Sequence, residues 1–209
     1  MADSMTVNGT GSVSVQPDCV NVSLGVSMRA DTVCGAQQSV NAVISAVREA
    51  VIEGGVNPAD IRVSSVSVYP EYDYYSGSGE NVIGYNASHQ LDVVIRDVET
   101  AGGVIDAALS AGANSIYGLN FFVSNEEEYY EQALAAALAS AADKAQFLAE
   151  STGVGLGRIV SITENTDYIY DSGSALAAKT EDAEIPAATE LEAGTCTVTA
   201  SVRVEYEIR

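Results

Sequence analysis

The sequence is poor in positive charge, in histidine and in cysteine, and it has no long apolar run. Nine lysines and arginines face 29 aspartates and glutamates, so the 209-residue chain carries a formal net charge of -20. A nucleic-acid binder needs cations to displace condensed counterions, so no nucleic-acid partner is expected. Anionic membrane surfaces are disfavoured for the same reason. The charge itself reads as solubility and mutual repulsion, with recruitment of cations or a basic partner as the alternative. No run approaches the roughly 20 apolar residues of a membrane helix, so no membrane insertion is expected. Met1-Ala2-Asp3-Ser4 has neither a basic region nor an apolar segment, unlike a signal peptide. The expectation is a cytoplasmic protein, or a mature periplasmic or extracellular form from which a signal peptide was removed. Cys19, Cys34 and Cys196 are odd in number and far apart, which argues against a disulfide scaffold and against metal-type spacing. A single histidine, His89, removes His-pair metal sites and leaves one conceivable Ser-His-Asp set.

What is present is apolar and periodic. Hydrophobic residues make up 47% of the chain, enough for a sizeable core. Residues 5–30 read as strand. Val7, Val13 and Val15 share one parity; Val20, Val22, Leu24, Val26 and Met28 share the other. A one-residue shift swaps faces, so a bulge or tight turn is expected at Gln16-Pro17-Asp18. Asp31 or Thr32 can cap a helix to about Glu53, with Ala36, Val40, Val43, Ile44, Val47 and Val51 spaced by threes and fours. Gly54-Gly55 ends it. A strand from Ile61 to about Tyr72 changes parity near Ser64-Ser65, which predicts a second bulge. Residues 74–81 read as a glycine-serine hairpin tip, and a third strand alternates from Ile83 to Ile95.

A short helix over about 98–111 and a strand over 115–123 follow. The longest helix starts at Ser124, with Glu127 placed for a capping box, and runs to about Thr152. A strand is expected over 158–163. Residues 165–194 break every pattern and read as a mobile acidic surface excursion. The last strand alternates Cys196, Val198, Ala200, Val202, Val204, Tyr206 and Ile208 with polar residues, the pattern of an antiparallel sheet with one buried face. The order β-α-β-β-α-β-α-β-β gives an α+β fold: mainly antiparallel sheet with helices on one face and a ferredoxin-like portion. The chain reads as one domain, with a division into two subdomains as 1–81 plus 195–209 and 82–164.

No residue is singled out as catalytic, cofactor-binding or metal-ligating. His89 has the parity of the apolar face and reads as a satisfied core or interface histidine, with a proton switch as the rival role. Gly153-Val154-Gly155-Leu156-Gly157 follows a helix and precedes a strand, the reverse of the dinucleotide arrangement, so it reads as a helix stop. Glu126-Glu127-Glu128 suits the first turn of a helix. Asp167, Asp171, Glu181, Asp182 and Glu184 could hold calcium, though their spacing matches no loop motif. Cys34 near a helix start could have a lowered pKa; a half-buried structural thiol is the plainer reading. Tyr69, Tyr72, Tyr74, Tyr75 and Tyr85 cluster in sequence around one hairpin, and tyrosine favours interfaces. They are the candidate interface.

The run from Met5 to Asp18 (Met-Thr-Val-Asn-Gly-Thr-Gly-Ser-Val-Ser-Val-Gln-Pro-Asp) resembles the opening signature of the SIMPL-domain family, the former domain of unknown function 541. So do Pro58-Ala59-Asp60-Ile61, Pro70-Glu71-Tyr72 and Gly84-Tyr85-Asn86-Ala87-Ser88. Gly112-Ala113-Asn114 with Phe121, Lys144-Ala145-Gln146-Phe147-Leu148-Ala149 and Val198-Thr199-Ala200-Ser201-Val202 extend the likeness over nearly the whole chain. The resemblance implies a bacterial protein, usually exported to the periplasm or cell surface, whose relatives include a periplasmic immunogenic protein and a protein linked to oxidative-stress defence. It also implies self-assembly, and it supplies no catalytic residues. The resulting expectation is a non-enzymatic, self-associating envelope or surface protein with a macromolecular partner and no cofactor. The alternatives are a hydrolase or redox enzyme with an unrecognised site, and a calcium-dependent binding module.

Overall fold

The computed structural model describes residues 3–73, 81–171, 189 and 191–209; the side chains of 166–171 lie outside that description. In chain order the elements are β1 (Ser4–Val15), β2 (Cys19–Ala30), α1 (Val33–Glu53), β3 (Ile61–Asp73), β4 (Asn81–Ile95), α2 (Val98–Ser110), β5 (Ser115–Phe122), α3 (Glu126–Thr152), β6 (Leu156–Asp171) and β7 (Cys196–Ile208). They form two compact units. Unit 1 holds residues 1–17, 123–173 and 194–209; unit 2 holds 18–122 and 174–193. The boundary differs from the expected one at 81/82. Residues 18–122 form a complete sheet with its own helices, while β1 pairs with β7 from the far end of the sequence.

Unit 2 is the ferredoxin-like portion. Its elements run β2-α1-β3-β4-α2-β5, and its four antiparallel strands are ordered β3-β4-β2-β5. Thr32 caps α1, its hydroxyl oxygen accepting from the Gly35 amide at 3.1 Å, which satisfies one of the orphan donors of the first turn. The inward row Ala36, Val40, Val47 and Val51 packs with Val104 and Ile105 of α2 against Val22, Leu24, Leu91 and Val93 of the sheet. Full burial of each such side chain stabilises by about 1.5–3 kcal/mol. Where Val63 pairs with Leu91 and Ser65 with Gln90, the register skips one residue, the bulge predicted by the parity change.

Unit 1 is a three-stranded antiparallel sheet ordered β1-β7-β6, with α3 on one face. Val198, Val202, Val204 and Tyr206 are buried, as the alternation of the last strand requires. The inward row of α3 is Ala133, Ala137, Ala141, Ala145 and Ala149, all buried. Opposite it β1 places Gly9 and Gly11. A Cβ on Gly9 would stand 2.0 Å from the Ala137 carbonyl oxygen, and one on Gly11 2.3 Å from that of Ala133. Only glycine permits helix and strand backbones to approach this closely.

Four sequence expectations are corrected. Residues 5–30 are not one bulged strand. Val15 pairs with Cys196 in one sheet and Cys19 with Phe122 in the other, so the parity change at 16–18 marks a change of sheet. The long helix begins at Glu126, with Asn125 rather than Ser124 in the cap position; the Asn125 side chain makes no cap bond and instead donates to the Glu128 carboxylate at 2.5 Å. β6 extends well beyond 158–163, because the long partner β7 continues the ladder as far as Asp171 opposite Thr197. Finally, the span 165–194 is not wholly an excursion. Its first residues belong to β6. Thr189 donates its amide and hydroxyl to Asp106 on α2, at 2.9 and 2.5 Å, and Leu191 packs against the core of unit 2. Gly102 makes room, since a Cβ there would meet the Thr189 carbonyl at 2.0 Å.

Candidate functional site

The tyrosines of the candidate interface do not form one patch. Tyr85 lies with Val68 on the helix-bearing side of unit 2, packed against its core. Tyr69 pairs with Asn86 on the opposite, open face and is 51% exposed. Strand alternation separates them: residues 85, 87, 89 and 91 of β4 face the helices, and residues 86, 88, 90 and 92 face away. Tyr72 lies opposite Val82. Tyr74 and Tyr75 lie outside the described residues.

His89 faces α1, as its parity predicted. Its Nε2 lies 3.0 Å from Nε2 of Gln37, in a half-buried setting. Among the described residues no group of three histidine, cysteine or acidic side chains could hold a metal ion; residues 181, 182 and 184 lie outside them, as do the side chains of Asp167 and Asp171. Burial, reinforced by neighbouring Asp18, pushes the Cys19 thiol up to about 11, so it is a poor nucleophile at neutral pH. Cys34 is exposed rather than half-buried, and Cys196 is buried. Asp60 is held below the usual carboxylate range by hydrogen bonds from Arg96, both at 2.8 Å. This bidentate pair sits on the rim of a cavity of about 170 Å³ lined also by Gly54, Val56, Asn57 and Thr100.

Several of the residues that carry the family likeness are architectural. Gly9 and Gly11 admit α3. Asn114 accepts from the Ser27 amide at 3.0 Å and donates to the Ser27 carbonyl at 2.7 Å, so its side chain takes the place of a backbone ladder pair at the end of β5. Phe121 is the largest fully buried side chain among the described residues. Gly84 lies beneath the Arg29 guanidinium, which pairs with Glu71 at 3.0 Å and donates to the Ile83 carbonyl at 2.9 Å.

Two surfaces stand out that composition did not single out. The first is the open face of the sheet in unit 2, bearing hydroxyl and amide side chains cross-linked between strands. Ser23 donates to Asp92 at 2.5 Å, Ser27 to Asn86 at 2.8 Å, and Ser67 and Ser88 share a bond of 2.8 Å. At one margin β5 bulges. Val22 pairs with Leu119 and Leu24 with Ile116, and Gly118 takes φ +91, a left-handed conformation that favours glycine. The bulge swings the Tyr117 ring over Gly25, where a Cβ would stand 2.5 Å from it. The second is the edge strand β6. Ile159 and Ile162 lie opposite Tyr206 and Val204, on the helix-bearing side, yet α3 lies over β1 and β7. Ile159, Val160 and Ile162 are each about half exposed. A strand over 158–163 was expected from the sequence; that α3 sits mainly over the other two strands was not.

Known proteins resemble this chain over most of its length. Over 164 residues the chain is 29% identical to a 26 kDa periplasmic immunogenic protein of Brucella melitensis, covering 77% of this chain and 66% of that protein. Over 158 residues it is 26% identical to an Escherichia coli protein named as the uncharacterized protein YggE, covering 76% of this chain and 64% of that one. The chain thus spans slightly less than two-thirds of the length of the curated relatives it matches. The sequence profile of the SIMPL family, described as a protein of unknown function (DUF541), matches residues 5–206, and the chain belongs to that family.

Proposed function

We propose that this protein is a non-enzymatic, self-associating component of the bacterial cell envelope, acting in the periplasm and serving as a stress-related binding or scaffolding element. The observation that carries the reading is β6. Among the described residues it is the outer strand of its sheet, with its far edge turned away from β7, and it bears three half-exposed β-branched side chains in a row of four residues, 159–162. Such an edge invites strand pairing unless it is covered. A second copy meeting it edge to edge would satisfy the backbone and bury the apolar groups together. The β6 edge takes the place of the tyrosine cluster as the main contact, because Tyr69 and Tyr85 lie on opposite faces of a strand pair.

The periplasmic part rests on the name of the Brucella relative. The non-enzymatic part is supported by the causes of the shifts: hydrogen bonds with Arg96, Thr189 and Glu164 come first for Asp60, Asp106 and Tyr130. The Cys19 thiol, buried beside Asp18, is pushed up rather than activated. Fractionation of native cells followed by light scattering tests the reading. The expected result is a periplasmic protein with a mass that is a multiple of 21.7 kDa. A 21.7 kDa species at tens of micromolar, or a cytoplasmic one, contradicts it.

A further inference from the structure

We infer that the open face of the sheet in unit 2 is a binding site for a neutral glycan chain. The chain as a whole is strongly acidic, at -20, yet the central strands β2 and β4 meet this face with serine, asparagine and glutamine. The one carboxylate they place there, Asp92, is engaged by Ser23. Arg29, near the margin, is paired with Glu71. Arg62 of β3 lies opposite Asp92, so cations and carboxylates balance, and the face is close to neutral and dense in short donors and acceptors. Tyr117 and Tyr69, 52% and 51% exposed, stand on β5 and β3, on opposite sides of that polar field.

This combination matches one ligand chemistry. A pyranose ring has an apolar C–H face and a rim of hydroxyls. A tyrosine ring takes the first with its own apolar face and polar tip, while hydroxyl and amide side chains such as Ser27, Asn86, Ser88 and Gln90 take the second. Three strand spacings separate β5 from β3, about 14 Å, so the two rings suit a chain of several sugars rather than one monosaccharide. The cross-strand bonds Ser27–Asn86 and Ser67–Ser88 hold the side chains in place before a ligand arrives, which reduces the ordering cost of binding. The bulge at Gly118 gives Tyr117 its position over Gly25, whose missing side chain leaves room for the ring.

A single-stranded nucleic acid could stack on the same rings, and a sheet of this topology serves that purpose when central-strand aromatics and cations are present. Here the central strands carry no aromatic residue on the open face, and its two arginines face carboxylates, Arg29 paired with Glu71 and Arg62 opposite Asp92. A polyanion is thus disfavoured and a neutral polymer is not. The inference concerns unit 2 alone and does not rest on self-association through β6.

Native affinity electrophoresis tests it, with the full chain run through gels containing dextran, soluble β-1,3-glucan or hydroxyethylcellulose. The expected result is retardation by at least one of these neutral polymers, relative to a gel without polymer. Tyr117→Ala should weaken that retardation about tenfold in apparent affinity, the size of one good aromatic contact, and Tyr69→Ala should weaken it less. Tyr117→Phe should retain most of it, and unchanged melting temperatures would show that the variants fold. No retardation by any of the three polymers overturns the inference. So does retardation that Tyr117→Ala and Tyr69→Ala leave unchanged. Sedimentation of the same variants supplies a third contradiction: a Tyr117→Ala protein that loses self-association, with no polymer retardation in the parent, makes the face a protein contact instead.

Discussion

The two units solve the same packing problem by opposite means. Unit 2 sets two helices on its sheet through bulky groups, with Phe121, Leu24, Leu91 and Ile105 fully buried. Unit 1 sets one helix on its sheet through the smallest groups, five alanines facing Gly9 and Gly11. The first core is sensitive to lost volume, the second to any added atom. The second also covers less, since a single helix seated close over β1 and β7 reaches little of β6. The difference in packing therefore connects to the difference in surface. Unit 2 ends in a polar face bordered by tyrosines, and unit 1 in an apolar edge.

The largest effect that could break this comparison is Phe121→Ala, which should cost about 3–5 kcal/mol in urea unfolding, with lost hydrogen-exchange protection centred in unit 2. A smaller cost would mean that the core is looser than its burial implies. Next, Gly9→Ala should destabilise by about 1–3 kcal/mol through overpacking, with protection lost in α3 and β7. Gly103→Ala, in the exposed part of α2 with open space around its Cβ, should instead stabilise by about 0.4–1 kcal/mol. Equal behaviour of the two glycine variants would refute close packing as the reason for Gly9.

The smallest effect concerns acid. Hydrogen bonds from the Thr189 hydroxyl and amide hold Asp106 below the usual carboxylate range. The folded pKa lies below the unfolded one, so this stability is present above the unfolded value. It is lost as pH falls through the folded value. Below about pH 4, the melting temperature of the parent should therefore fall more steeply than that of Asp106→Asn. Parallel curves would show that the Asp106–Thr189 contact does not form in solution.

Much of the fold was legible because strand and helix periods were clean. The alternation of β7, the stripe of α1 and the Ser64 bulge could be read directly. The change of sheet at Gln16-Pro17-Asp18 could not, because a parity switch looks the same whether the chain bulges within one sheet or leaves it for another. The extension of β6 was hidden because its register shifts at several points and breaks simple alternation. The candidate site was less legible. Parity alone assigns Tyr69 and Tyr85 to different faces only when their register is known, and the exposure of β6 depends on where α3 sits. The polar field of Ser27, Asn86 and Ser88 left a signal, the polar half of two alternating strands, but that pattern reads equally as an ordinary wet face.

The measurement that bears most directly on the proposed function is sedimentation velocity of the parent and of Ile159→Lys/Ile162→Lys at two salt concentrations. At -20 per chain, copies repel one another. Raising salt from 0.01 M to 0.15 M shortens the Debye length from about 30 Å to about 8 Å. The expected result is an oligomer of the parent that strengthens with salt and a double variant that remains monomeric at both. A parent that is monomeric at both salts at tens of micromolar, or a double variant that assembles as the parent does, would contradict assembly through the β6 edge.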